Sequence, residues 1–139
     1  MSENKIKVII KYPNKEAEVK EIDNDYKVLS NICEGLIDMV SLPADETIDI
    51  ICNDEFLYNG MEANIVTPEN EGVIAGPIIL AGYDFETGDT ISLTDEQIKT
   101  GLKYLKRNIV YNMTIERAYL YSKVIGPLQQ SYKDAGIDY

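Results

Sequence analysis

The chain has 139 residues, of which 24 are acidic and 13 basic, for a formal charge of −11, and it contains neither His nor Trp. No imidazole acid/base step, His triad, His-ligated metal site or His-ligated haem can be built from these residues alone. The acidic excess also argues against non-specific binding to a nucleic-acid backbone, which depends on Lys and Arg neutralising phosphates, so no direct DNA binding is expected.

Along the chain, Lys5 to Tyr12 alternates charged and apolar residues, Pro13-Asn14 signals a turn, and Ala17 to Ile22 alternates again. The pattern predicts an antiparallel hairpin. Asp23-Asn24-Asp25 supplies helix N-cap residues, and Tyr26, Leu29, Ile32, Cys33, Leu36 and Ile37 follow at amphipathic-helix spacing. After Gly35, the segment Leu36 to Leu42 also reads as a short strand, in which case the helix stops near Glu34. Ile48 to Cys52 predicts a buried strand, Asn59-Gly60 a tight turn with positive φ, and Ile65 to Asn70, containing Pro68, a loop. Val73 to Tyr83 is the most apolar segment and belongs in the core, with Pro77 at a strand start or sheet edge. Thr94-Asp95-Glu96-Gln97 has the form of a capping box, so a helix starts there, striped by Ile98, Leu102, Leu105 and Ile109. Asn112 or Thr114 caps a further helix, Ile115 to Ile125, ended by Gly126-Pro127, and the last dozen residues read as a loose tail.

These elements predict an α+β fold: an N-terminal β-β-α unit, further strands in one mixed sheet, and two C-terminal helices. A β-grasp-like arrangement is compatible with the order alone. The longest apolar run, Val73 to Ala81, is far shorter than the roughly 20 residues of a membrane-spanning helix. Met1 to Lys5 leads directly into the charged strand pattern, without a signal-peptide stretch, so a cytoplasmic protein is expected. Cys33 and Cys52, each following an Ile, read as buried thiols.

Charge is unevenly divided. Residues 1–96 hold 6 Lys against 21 Asp or Glu, net −15, while residues 97–133 hold 7 Lys or Arg against Glu116 alone, net +6. The chain therefore divides into an acidic α/β body, 1–96, and a basic, Tyr-rich helical end, 97–139. Either the basic helices dock on the acidic body of the same or a neighbouring subunit, or they build an anion site. For the anion site the candidate ligand-binding cations are Lys103, Lys106, Arg107 and Arg117, with Tyr104, Tyr111 and Tyr121 available for stacking. Tyr104, Arg107 and Tyr111 are spaced to share a helical face.

No catalytic set emerges. There is no Gly-rich phosphate loop, no base beside either Cys, and no Lys singled out beside a Ser or Thr. Asp45, Glu46, Asp49, Asp54 and Glu55 lack the Asp-x-Asp-x-Asp-Gly pattern of a calcium loop, so neither a metal site nor a cofactor is expected. The chain reads as a non-enzyme.

The segments Val19-Lys20-Glu21-Ile22, Val40-Ser41-Leu42-Pro43, Ile48 to Glu55, Asn59-Gly60, Ile74-Ala75-Gly76-Pro77 and Ile91 to Ile98 occur in that order. Together they resemble a small uncharacterised domain family carried by phages, plasmids and conjugative elements of low-GC Gram-positive bacteria. The resemblance covers about residues 5–105 and brings no catalytic residues with it. It implies a mobile-element accessory protein, with countering host defence as the leading role. The expected function is non-catalytic sequestration of an anionic, nucleotide-type immune signal by the basic Tyr-rich helices, in a homo-oligomer. The alternative is an acidic nucleic-acid mimic that occupies a basic groove on a host restriction or CRISPR-type enzyme. A third reading is an accessory module with no defence role.

Overall fold

In a computed structural model describing residues 4–137, the N-terminal alternation folds as β1 (Lys5–Lys11) and β2 (Glu18–Asp23), an antiparallel hairpin. Next come α1 (Tyr26–Cys33), β3 (Ile37–Leu42), β4 (Asp45–Asn53) and β5 (Ala63–Thr67). A 3-10 turn (Pro68–Asn70), β6 (Gly72–Ala75), β7 (Ile78–Tyr83) and β8 (Thr90–Ile91) lead to α2 (Asp95–Asn108) and α3 (Ile115–Asp134). The main sheet runs β2-β1-β7-β4-β3, with β8 paired to the end of β7. The α+β class and the two C-terminal helices stand as expected. The single mixed sheet does not: every strand pairing among the described residues is antiparallel, and β5 and β6 form a separate ribbon. Gly76, at φ +78, and Pro77 cause the division by breaking the apolar run. β6 stays with β5, while β7 enters the sheet centre between β1 and β4.

Strand alternation sorts the core onto two faces. Ile6, Val8 and Ile10 of β1 join Ile51, Ile79 and Ala81 beneath Leu29 and Cys33 of α1. Ile9 joins Ile48, Ile50, Ile78 and Leu80 on the other face, beneath Tyr104 and Leu105 of α2. The sheet is thus a middle layer between α1 and α2. Gly101 sets how closely α2 approaches, because a Cβ there would lie 2.8 Å from Ile9 Cδ1 and 3.1 Å from Leu80 Cδ1. Both cysteines are buried free thiols, and burial pushes Cys33 up to about 12 and Cys52 up to about 11.

Local signals placed most boundaries. Asp25 caps α1, which ends at Cys33 because Glu34 turns left-handed at φ 65, so Leu36 to Leu42 is the strand alternative, seen as β3. The capping box is complete: Gln97 N donates to Thr94 Oγ1 at 3.2 Å, and Thr94 N donates to Gln97 Oε1 at 2.9 Å. Two boundary expectations fail. The presumed loop Ile65 to Asn70 is β5 and the 3-10 turn, since Ala63–Thr67 is fully buried in the ribbon and packing overrides its polar ending. Helix α3 continues through Gly126-Pro127 to Asp134, so residues 128–134 of the expected tail are helical, and Asp138 and Tyr139 lie outside the described residues. Proline removes one intrahelical hydrogen bond, but α3 packs on the ribbon and the 3-10 turn, through Ala118 and Ile125 before the proline, and is tied to α2 by the Gln129–Asn108 hydrogen bond after it. Gly126 permits that contact, since a Cβ would stand 2.9 Å from the Pro68 carbonyl oxygen.

Candidate functional site

The basic end builds a cleft between α2 and α3. Helix α2 contributes Lys103, Lys106 and Arg107, and α3 faces them with Tyr121, Ile125, Gln129 and Tyr132. These positions recur at three- and four-residue intervals, so each set forms one stripe along its helix. The cleft has a volume of about 440 Å³. A buried polar chain ties its two walls together: Gln129 Nε2 donates to Asn108 Oδ1 at 3.1 Å, and Asn108 Nδ2 donates to the Tyr104 carbonyl at 3.1 Å. Lys103, Arg107 and Tyr132 also hold contacts of their own within the chain. The described lining residues of the cleft include three cations and no carboxylate, in a molecule of net charge −11.

Four of the seven residues singled out in the sequence, Lys103, Lys106, Arg107 and Tyr121, meet in this cleft. Tyr104 does not. It is 2% exposed, and its hydroxyl donates to Glu69 Oε1 at 2.7 Å, so it belongs to the core under α2. Tyr111 does not share a helical face with Arg107, because α2 closes at Asn108 and Ile109 is extended. Arg117 is exposed in the first turn of α3, whose Thr114 cap accepts from the Arg117 backbone N–H. Of the other cations, Lys99 pairs with Glu96 at 3.7 Å and Lys123 Nζ lies 4.8 Å from the Tyr119 ring centroid. Sequence reasoning missed Gln129 and Tyr132 because it ended α3 at Gly126. Continuing the Tyr121–Ile125 spacing past that glycine would have found both.

A second hollow, of about 250 Å³, lies on the adjoining face of α2 and shares Lys106 with the cleft. Leu102, Leu105 and Ile109 of α2 and its C-cap form an apolar wall, with Ala17 also lining it. Lys11, Glu16 and Lys106 bring the charges. Lys11 is 1% exposed, and its Nζ donates to Asn64 Oδ1 of β5 and to the Tyr12 carbonyl at 3.3 Å. Asn64 in turn donates to the Lys11 and Gly76 carbonyls, both at 2.8 Å, which joins the main sheet to the ribbon. Burial holds Lys11 down to about 8, and no carboxylate pairs with it among the described residues. Its sequence signal was the strand phase: Lys5, Lys7, Ile9 and Lys11 share one face, and Ile9 marks where that face passes under α2.

Residues 6–108 match a family described as a domain of unknown function, DUF3846. The chain belongs to the DUF3846 family. The DUF3846 match ends at the last residue of α2, so it contains Lys11, Lys103, Lys106 and Arg107, while α3 with Tyr121, Gln129 and Tyr132 lies beyond it. No curated protein and no solved structure matches the chain. Among the described residues, no helix of this DUF3846 chain is long and apolar enough to cross a membrane.

Proposed function

We propose that this DUF3846 chain captures a small, anionic, ring-bearing ligand of nucleotide type in the α2–α3 cleft, without catalysing its turnover. The observation that carries the reading is the convergence of Lys103, Lys106, Arg107, Tyr121 and Tyr132 on one concave surface. Phosphate oxygens accept the forked donors of Arg and the point charges of Lys. Tyr121 and Tyr132, 37% and 44% exposed, offer ring faces to a base. A volume of about 440 Å³ falls within the roughly 300–1,000 Å³ common for small-molecule sites. In the setting we favour, a phage, plasmid or conjugative element of Gram-positive bacteria, the protein acts in the host-cell cytoplasm as a counter-defence sponge for an immune nucleotide. The outward row Leu120, Val124 and Leu128 on α3, each at least half exposed, supports association of copies into a homo-oligomer.

Calorimetry with a panel of cyclic dinucleotides, cyclic oligonucleotides and ADP-ribose derivatives tests the reading. At least one is expected to bind, and Arg107→Ala or Lys103→Ala is expected to weaken it tenfold or more, since a charge-assisted hydrogen bond contributes about 1.5–3 kcal/mol. Flat titrations across the panel would sink it. If recovery of a host nuclease in salt-dependent pull-downs accompanied those flat titrations, the acidic-mimic reading would take its place.

A further inference from the structure

We propose that the hollow beside Lys11 is a second ligand site, built for a small apolar monocarboxylate. The carboxylate sits against the Lys11 ammonium, and the hydrocarbon lies along Leu102, Leu105 and Ile109. The inference does not rest on the nucleotide reading: it uses the adjoining face of α2, with Lys106 lining both sites.

The argument begins from an unbalanced charge. Lys11 is 1% exposed, yet both acceptors found for its ammonium among the described residues, Asn64 Oδ1 and the Tyr12 carbonyl, are neutral amide oxygens. A buried cation with only neutral partners is costly, and nearby anions relieve that cost. An ammonium has three protons to donate and these acceptors take two. Its lowered proton affinity, near 8, has burial as its cause, as expected where no anion is in contact. The described lining of the hollow carries two lysines, Lys11 and Lys106, against one carboxylate, Glu16, a formal excess of one positive charge. Tyr111 also lines it and can donate a phenolic hydroxyl.

Size selects the ligand class. About 250 Å³ is roughly the volume of eight waters, too small to enclose a nucleotide and enough for a short-chain or single-ring acid. The aliphatic wall favours a hydrocarbon over a sugar. One buried cation favours a single negative charge over a diphosphate. A neutral alcohol of the same length keeps the hydrophobic contact and loses the ion pair, while an amine of that length repels Lys11.

The test is titration of hexanoate into the ¹⁵N-labelled full-length chain, followed by NMR, with hexanol and hexylamine as controls. Saturable shifts are expected at Lys11, Leu102, Leu105 and Ile109, with hexanol at least tenfold weaker and hexylamine silent. Lys11→Met is expected to lose at least tenfold in hexanoate affinity. Ala17→Phe, which fills the hollow from a partly exposed position and leaves Lys11 in place, is expected to abolish the shifts and keeps the test decisive if Lys11→Met fails to fold. The proposal is overturned if hexanoate causes no saturable shifts, if hexanol binds as well, if the shifts centre on Tyr121 and Tyr132, or if Ala17→Phe binds as the parent does.

Discussion

Lys11→Met offers the most direct test of the energetics, because it removes a buried charge and leaves most of the side-chain volume in place. Burial holds the Lys11 ammonium down to about 8, against 10.5 for an unburied lysine. Below pH 8 both folded and unfolded chains carry the proton, and the folded state bears the whole cost of burying it. Between about pH 8 and pH 10.5 the unfolded chain still binds the proton while the folded chain has released it, so this group makes stability rise with pH. The difference between the two proton affinities corresponds to a penalty of about 3 kcal/mol at pH 7, falling to about 1 kcal/mol at pH 10. Lys11→Met removes that pH-dependent penalty and forfeits hydrogen bonds to Asn64 and Tyr12, each worth about 1 kcal/mol. Urea denaturation of parent and variant at pH 7 and pH 10, followed by far-UV circular dichroism, isolates the effect because groups titrating alike in both chains cancel. The stability of the variant relative to the parent is expected to be about 2–3 kcal/mol more favourable at pH 7 than at pH 10. A relative stability that stays constant between the two pH values would refute the assignment of an ammonium buried without an anion.

Three further outcomes follow from packing. Gly126→Ala gains about 1 kcal/mol of helix propensity but sets a methyl group 2.9 Å from the Pro68 carbonyl oxygen, a backbone atom with little room to yield. An overpacking cost of about 1–3 kcal/mol is expected to dominate, lowering the melting temperature by a few degrees in differential scanning calorimetry. Tyr104→Phe removes the donor to Glu69 and is expected to cost about 1–2 kcal/mol in chemical denaturation. It should leave nucleotide affinity unchanged, because Tyr104 stands outside the cleft. Cys33 and Cys52, raised to about 12 and about 11, are expected to resist a disulfide reagent at pH 8 in the native protein and to react in urea. Rapid native labelling would contradict their burial.

What could be read from the sequence was what short-range chemistry decides. Thr94 and Gln97 need only each other to start a helix, and the β1–β2 hairpin needs only its alternation and the turn at Pro13-Asn14. The cationic half of the cleft was visible for the same reason, since Lys103, Lys106 and Arg107 lie within one continuous helix. The other half depended on whether Gly126-Pro127 ends a helix, which is decided by contacts with Pro68 nearly sixty residues earlier. Burial of Lys11 was hidden similarly. Alternation alone places it beside the exposed Lys5 and Lys7, and only α2 crossing above Ile9 turns that face inward.

Lys106 lines both the basic cleft and the hollow beside Lys11. A lysine stem can swing its single ammonium toward either side of α2, but not to both at once. An anion that recruits this ammonium on one side withdraws it from the other, so the two sites would be antagonistic without any movement of the backbone. Thermodynamic linkage makes that antagonism mutual: whatever factor one occupant imposes on the second, the second imposes on the first. If both proposed sites bind, this single side chain on their common wall makes the capacity for one anion depend on the local concentration of the other.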